Sequence, residues 1–245
     1  ENFTMEINAR DCIAVLDDAR IDRAVFLGHS MGCQVIFEIW KHFPDRVAGL
    51  VPVCGPYGRP LDTAFGLPEM SHALFATFYA AVNAFPSEIQ TLLRPLLRSP
   101  LPLQIARLGA INAQLAEADD MQPYFDHLSK MDLRVFFLMA GEMQRHDAGP
   151  WLGEIDAPTL VVAGEHDLMT PLSLSHDMAE RIRDAEILVL PRGSHAGLIE
   201  HPELLNLRLE KFMAERVFAR RRPGAGKKAK KSTSKRRART KTPNH

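Results

Sequence analysis

One pentapeptide has the residue types and spacing needed for nucleophilic catalysis. It reads Gly28-His29-Ser30-Met31-Gly32 and lies between a short apolar run and a segment with helical periodicity. A nucleophilic serine needs an exposed hydroxyl on a tight turn, and small residues two positions on either side let the strand and the helix approach closely. The alternative interpretation is a glycine-rich turn with a purely structural role. The strand–turn–helix context favours Ser30 as a nucleophile.

Two later turns carry the partners that such a serine requires. A serine hydroxyl is a weak nucleophile unless a base takes its proton, and an acid must hold that base in one tautomer. The segments Gly164-Glu165-His166-Asp167 and Gly193-Ser194-His195 each follow an apolar run. We therefore predict His195 as the general base. From the residues alone, Asp167 and Glu165 are both possible acids.

The elements around these turns alternate between strand and helix. Apolar runs bounded by turn residues predict buried strands, and segments with helical spacing lie between them. The predicted strands cover residues 23–27, 47–53, 158–164 and 186–190, and the predicted helices cover residues 6–19, 31–42, 172–183 and 202–218. This alternation is typical of an α/β fold with a mostly parallel sheet and helices on both faces.

Residues 57–150 interrupt the alternation, and we predict that they form a helical insertion. Their apolar residues include Leu74, Phe75, Phe78, Tyr79, Val82 and Phe85. We predict a capping box from Ser87 and Gln90 for a helix that stops before Pro95, and a further helix over 103–117. His146-Asp147 is interpreted as a solvated turn rather than as part of a metal site.

On these residues, segments 1–56 and 156–213 resemble the α/β-hydrolase superfamily, in its branch of small serine esterases, lipases and carbon–carbon bond hydrolases. In that family the acid lies in a Gly-x-x-Asp turn and the histidine in a Gly-x-His turn, which match the turns ending at Asp167 and His195. The resemblance therefore favours Asp167 over Glu165. Serine at position 30 separates the chain from the dehalogenase and epoxide-hydrolase branches, which carry aspartate there.

The resemblance also implies two features of the fold. It implies that the Met31 N–H donates to the oxyanion, beside a second donor from a His-Gly loop that has no match among the 29 residues before Ser30. We accordingly expect that the N-terminal strands of the sheet are absent from this sequence. The strand before Ser30 should then lie at an edge of the sheet.

Charge divides the chain into two parts. Residues 220–245 hold 12 Lys or Arg and no Asp or Glu, so the other 219 residues hold 18 basic and all 30 acidic side chains, a net charge of −12. We expect the segment 220–245 to be disordered, with weak and salt-dependent binding of polyanions. No apolar run reaches the ~20 residues of a membrane span.

The three cysteines, Cys12, Cys33 and Cys54, are too few and too scattered for a disulfide framework or a CxxC metal site. They are interpreted as small core residues of a reducing compartment, and we accordingly predict a cytoplasmic protein.

The sequence predicts a serine hydrolase that forms an acyl-enzyme on a hydrophobic, ester-like small molecule, without a metal or a cofactor. The alternatives are an acyltransferase or a lyase on the same residues, or a polyanion-binding protein that acts through its basic tail. The predicted domains are the hydrolase core (1–56 and 151–219), a helical cap (57–150) and the tail (220–245).

Overall fold

The computed structural model describes residues 3–219 of the chain, in which four parallel strands form one sheet. The strands are β1 (Ala24–His29), β2 (Val47–Val53), β3 (Thr159–Gly164) and β4 (Ala185–Leu190). They lie in the order β1-β2-β3-β4, and every neighbouring pair is parallel. Strands β2 and β3 are buried along their whole length, as expected for central strands covered on both faces. The predicted α/β fold is confirmed.

Helices flank this sheet and fill the long connection between β2 and β3. Within residues 3–219 they are α1 (Met5–Asp18), α2 (Gly32–His42), α3 (Pro68–Ala84), α4 (Pro86–Leu97), α5 (Leu101–Ala106), α6 (Ala118–Leu128), α7 (Leu133–Arg145), α8 (Leu172–Arg181), α9 (Gly197–Glu200) and α10 (Pro202–Phe212). The last helix continues through Phe218 as a π-helical turn.

Alternate side chains of the central strands point into two separate cores. Leu50 and Val161 pack with residues of α1, α2 and α8 on one face of the sheet. Val51 and Leu160 pack with residues of α10 on the other face. Each fully buried aliphatic side chain contributes about 1.5–3 kcal/mol to folding, so the two cores fix the sheet that carries the site.

Strand β1 forms one edge of the sheet, as the sequence predicted. Within the described residues it pairs only with β2, in a register that includes Leu27 opposite Val51. The Leu27 side chain on this strand is 48% exposed.

The connection between β2 and β3 is helical, but its helices begin and end elsewhere than predicted. Helix α5 ends at Ala106, and α6 follows from Ala118, so the helix predicted over 103–117 is wrong. The start of α6 is set by Glu117, because its side chain and that of Asp120 form a reciprocal capping box. Glu117 therefore lies at the beginning of a helix, whereas the sequence predicts it at the end of one.

The capping box predicted from Ser87 and Gln90 is also wrong. Helix α4 begins with Pro86 at its first position, where the missing N–H costs nothing. Gln90 instead spans to the loop before α7, where it accepts from the Leu133 N–H at 2.9 Å and donates to the Met131 carbonyl at 3.0 Å. The helix also continues past Pro95 to Leu97.

Two side chains differ in burial from the sequence prediction. His146 is not part of a solvated turn, because its ring is 9% exposed and lies 3.0 Å from the carboxylate of Glu38 on α2. Cys12 is exposed on α1, since the buried face of that helix is formed by Met5, Ala9 and Ile13. Cys33 and Cys54 are buried, as predicted.

The predicted basic tail, residues 220–245, lies outside the described residues. None of the helices described here combines the length and the apolar composition needed to cross a membrane.

Candidate active site

Ser30 occupies a strained turn between β1 and α2. Its backbone φ is +54°, a left-handed conformation that is uncommon for a residue other than glycine. The turn is held by the Ser30 N–H, which donates to the Val53 carbonyl at 3.1 Å. A side chain at Gly28 would overlap with the Gly32 carbonyl oxygen, so the strand and the helix approach too closely for any other residue there. Gly28 is therefore needed for the turn that presents Ser30, whereas a side chain at Gly32 would meet no neighbouring atom within 4 Å.

His195 joins Ser30 to Asp167. Its Nε2 lies 3.0 Å from the Ser30 Oγ, and its Nδ1 lies 2.9 Å from the Asp167 Oδ2. A carboxylate only accepts hydrogen bonds, so the proton of the neutral ring resides on Nδ1. The Nε2 lone pair then faces the serine hydroxyl, which is the arrangement that a general base needs.

Parallel strands bring these three residues together. Ser30 follows β1, Asp167 follows β3 and His195 follows β4, each beyond the carboxyl end of its strand. In an open parallel sheet those ends meet at one edge, which is where such folds place their ligands. The three residues singled out in the sequence thus lie in one continuous chain of hydrogen bonds.

The Asp167 carboxylate is fixed by its own loop. Its Oδ1 accepts from the N–H groups of Met169 at 2.8 Å and Thr170 at 2.9 Å. Its Oδ2 accepts from the Thr170 hydroxyl at 2.6 Å as well as from His195. Asp167 is only 3% exposed, so these donors replace the water that would otherwise solvate its charge.

Sequence reasoning missed the part played by Thr170. A signal was present, because an Asp side chain in a turn accepts from main-chain N–H groups two and three residues later, and this brings Thr170 against the carboxylate. Thr170 is 4% exposed and its hydroxyl also lies 3.5 Å from the His195 Nδ1.

The rival acid, Glu165, is directed away from the histidine. Its Oε2 accepts from the Arg192 N–H at 2.6 Å. The neighbouring His166 has an exposed side chain, and its main-chain N–H donates to the Gly193 carbonyl at 2.7 Å. The structure brings neither side chain into the hydrogen-bonded chain.

His29 packs against the catalytic candidate His195. The two ring centroids are 5.1 Å apart, and the His29 Nε2 donates to the His195 carbonyl at 2.9 Å. Burial lowers the pKa of His29 below its usual value, and the nearby His195 lowers it further. A neutral His29 with its proton on Nε2 therefore supports the His195 loop through a hydrogen bond.

Two main-chain N–H groups precede the first hydrogen bond of α2. That bond is donated by Cys33 to the Ser30 carbonyl at 3.0 Å, so the N–H of Met31 lies ahead of it. The first N–H groups of a helix have no partner within the helix and attract negative charge. Met31 thus lies where an oxyanion formed beside Ser30 would need a donor.

Two buried thiols near the site are poor nucleophiles. The Cys33 thiol lies 3.1 Å from the Gly28 carbonyl, and burial raises its pKa well above the usual range. Burial, and then the charge of Asp167, raise the pKa of Cys54 to about 12. Because thiolates are the reactive species, these cysteines stay inert at neutral pH.

No group of three or more His, Cys, Asp or Glu side chains that could hold a metal ion occurs within residues 3–219. His146, which the sequence analysis weighed as a metal ligand, pairs with Glu38.

Comparison with known proteins identifies the family that this chain matches. Residues 2–202 match the alpha/beta hydrolase fold family. A 2-hydroxy-6-oxononadienedioate/2-hydroxy-6-oxononatrienedioate hydrolase of Paraburkholderia xenovorans is 30% identical over 219 residues, covering 85% of this chain and 68% of that protein. A 2-hydroxy-6-oxo-6-phenylhexa-2,4-dienoate hydrolase of Burkholderia cepacia is 27% identical over 212 residues, with the same coverage of both chains.

Solved structures agree in fold. A thermophilic esterase from Thermogutta terrifontis superposes with a TM-score of 0.66 at 19% identity, covering 87% of this chain and 73% of that one. A bromoperoxidase from Bacillus anthracis superposes with a TM-score of 0.67 at 17% identity, covering 88% and 76%. Since these two proteins carry different activities, their likeness concerns the fold alone. The match of residues 2–202 to the family and the likeness to named hydrolases show that the chain belongs to the alpha/beta hydrolase fold family and that it is a hydrolase.

Proposed function

We propose that the protein is a serine hydrolase that acts through a covalent acyl-enzyme. The observation that carries the proposal is the unbroken chain of hydrogen bonds from the Ser30 hydroxyl through the His195 ring to the Asp167 carboxylate. Serine, histidine and aspartate in this order and geometry serve nucleophilic acyl transfer in unrelated folds.

The reaction begins when His195 Nε2 takes the hydroxyl proton as Ser30 Oγ attacks the substrate carbonyl. Asp167 stabilises the imidazolium that forms, and the Met31 N–H donates to the developing oxyanion. His195 then gives its proton to the leaving group, which departs and leaves an ester on Ser30. A water molecule, deprotonated by His195, hydrolyses that ester and restores the enzyme.

We propose that the substrate is hydrophobic and ester-like, and that residues 57–150 form the cap that receives it. Two large apolar side chains beside the loop that carries Asp167 support this proposal. Phe65 is 49% exposed and Leu168, the residue after Asp167, is 46% exposed. The Phe65 N–H donates to the Leu168 carbonyl at 2.6 Å, which joins the insertion to the acid loop.

The backbone conformation of Phe65 supports the same assignment. Its φ is +56°, and strain of this kind costs about 1–3 kcal/mol at a residue with a side chain. A half-exposed aromatic ring held at that cost beside the acid loop is suited to contact with an apolar ligand. Pockets of this class are mostly apolar, with a few polar groups that fix orientation.

A carbon–carbon bond hydrolase is the second candidate. It is supported by the two relatives whose names describe 2-hydroxy-6-oxo acids as their substrates. The same three residues would serve a reaction in which the bond broken joins the carbonyl to carbon rather than to oxygen.

Pre-steady-state kinetics test the main proposal. The full chain is mixed with a chromogenic ester, and we expect a burst of released alcohol that equals the enzyme concentration, followed by a slower steady rate. Hydrolysis of a 2-hydroxy-6-oxo-dienoate is followed in parallel by its ultraviolet absorbance. Faster turnover of the ester supports the esterase, and faster turnover of the dienoate supports the carbon–carbon hydrolase. Activity of Ser30→Ala equal to that of the parent on both substrates would refute both.

A further inference from the structure

A buried carboxylate lies under the loop that carries His195. Glu200 is the last residue of α9 and is only 6% exposed. Its Oε2 accepts from the Ser194 N–H at 2.6 Å, and its Oε1 accepts from the Ser194 hydroxyl at 2.5 Å. Both contacts hold the residue that immediately precedes His195.

The same carboxylate also reaches the helical insertion. Its Oε1 accepts from the Asn112 N–H at 2.6 Å, and the Asn112 side chain donates to the Arg192 carbonyl at 2.9 Å. On the other side of the loop, the Ala196 N–H donates to the Ala110 carbonyl at 3.2 Å. Residues 110–112 of the insertion are therefore joined to both flanks of His195, with Glu200 at the junction.

Two of these contacts come from main-chain N–H groups, which require an acceptor, and a carboxylate accepts on both oxygens. The third partner, the Ser194 hydroxyl, also lies 2.9 Å from the Ala110 carbonyl, so its one proton has two acceptors within reach. Within residues 3–219, no Lys, Arg or His lies within ion-pair distance of Glu200. Its charge is thus stabilised by polar groups of the histidine loop and the insertion, not by a cation.

We propose that Glu200 is a positioning residue that sets His195 against Ser30 and couples this setting to residues 110–112 of the insertion. The inference rests on the proposed function, because it assigns to Glu200 the placement of the general base. Glu200 touches none of the reacting atoms. Its effect passes through Ser194 to the ring position, and a shift of about 1 Å in a reacting group can cost about 10²-fold in rate.

The substitution Glu200→Gln tests the proposal because it keeps the shape and removes one acceptor. Either orientation of the amide turns an NH₂ group toward N–H or O–H donors of Ser194 or Asn112. The matched control is Glu38→Gln, since Glu38 is 5% exposed, is a carboxylate on a helix, and binds His146 far along α2 from Ser30. Both variants are made in the full chain and compared for melting temperature, kcat and KM.

We expect Glu200→Gln to lower kcat by about 10²-fold while KM changes by less than about threefold. We also expect it to shift or broaden the downfield proton resonance of the His195 Nδ1–H, which reports the hydrogen bond to Asp167. Glu38→Gln should change the melting temperature without moving that resonance or lowering kcat by more than about twofold. Equal kcat and equal resonance in the two variants would overturn the proposal.

A milder variant covers the case in which Glu200→Gln does not fold. Ser194→Ala removes the hydroxyl that contacts both the Glu200 Oε1 and the Ala110 carbonyl, but it keeps the Ser194 N–H bond to Oε2. We expect about a tenfold lower kcat and a shifted resonance, and a parent-like result for both would overturn the proposal. Ser30→Ala is measured beside them. If Ser30→Ala retains parent activity, the proposed function itself has failed, whereas an inactive Ser30→Ala with unaffected Glu200 and Ser194 variants refutes only the positioning role.

Discussion

The Nε2 of His29 donates a hydrogen bond to the main-chain carbonyl of His195 across 2.9 Å. The residue before the serine on β1 thereby holds the loop that follows β4, although β2 and β3 lie between those strands. Because burial and His195 lower the pKa of His29, this bond is made by the neutral ring.

The burial of His29, which disfavours its charged form, predicts a pH dependence of stability. A histidine whose pKa is lower in the folded state than the usual value of 6.5 contributes stability that is present above pH 6.5 and is lost as the pH falls through the folded pKa. We expect the free energy of unfolding to decline on acidification, and to decline less in His29→Gln, which keeps an N–H donor but does not titrate. Urea denaturation at several pH values measures both slopes. An equally steep decline in the variant would contradict this assignment.

The choice of acid predicts an asymmetry between two neighbouring carboxylates. Asp167→Asn should lower kcat by about 10³-fold or more, because the amide favours the wrong tautomer of His195. Glu165→Gln, in which the side chain meets only the Arg192 N–H, should change kcat by less than about threefold. Steady-state kinetics on one ester measure kcat for both variants. A parent-like kcat in Asp167→Asn together with a strongly lowered kcat in Glu165→Gln would show that the acid was misassigned.

The parallel sheet and the meeting of Ser30, Asp167 and His195 could be predicted because their signals are local. Each strand is a short apolar run that ends at a turn, and the turns at Ser30, Asp167 and His195 have diagnostic spacing. The alternation of strands and helices then places all three turns at one edge of the sheet.

The contacts missed by the sequence analysis depend on distant partners. Nothing near Glu200 indicates that its carboxylate meets the Asn112 N–H, 88 residues earlier in the chain. Likewise, the spacing of Ser87 and Gln90 fits a capping box, yet tertiary contacts direct the Gln90 amide to the loop before α7. The start of α6 differs, because its capping box of Glu117 and Asp120 is a local signal that the predicted helix over 103–117 overlooked.

The apolar side chains beside the acid loop predict a preference for longer acyl chains. Each buried CH₂ is worth up to ~0.8 kcal/mol, so kcat/KM should rise up to about fourfold per carbon from acetate toward octanoate. Leu168→Ala should flatten this series. Leu207→Ala is the matched control, because Leu207 is 71% exposed on α10. If kcat/KM of the parent does not change with acyl-chain length, these apolar residues do not determine specificity.

The charge of residues 220–245 predicts a function separable from hydrolysis. A chain ending at Ala219 should keep the parent kcat, and it should lack the weak retention on DNA that we expect of the full chain at low salt. Retention of the full chain should fall as salt rises, because binding through 12 basic residues releases counterions. Loss of hydrolysis from a shortened chain that is still folded would show that the tail belongs to the active enzyme.

Covalent labelling of Ser30 tests the central claim most directly. The full chain is treated with a fluorophosphonate probe, digested, and examined by mass spectrometry to locate the adduct. Because only a serine activated by a base reacts at an appreciable rate, we predict one adduct on Ser30 and no labelling of Ser30→Ala. Labelling of the variant to the same extent as the parent, or an adduct on another serine, would contradict the assignment of Ser30 as the nucleophile.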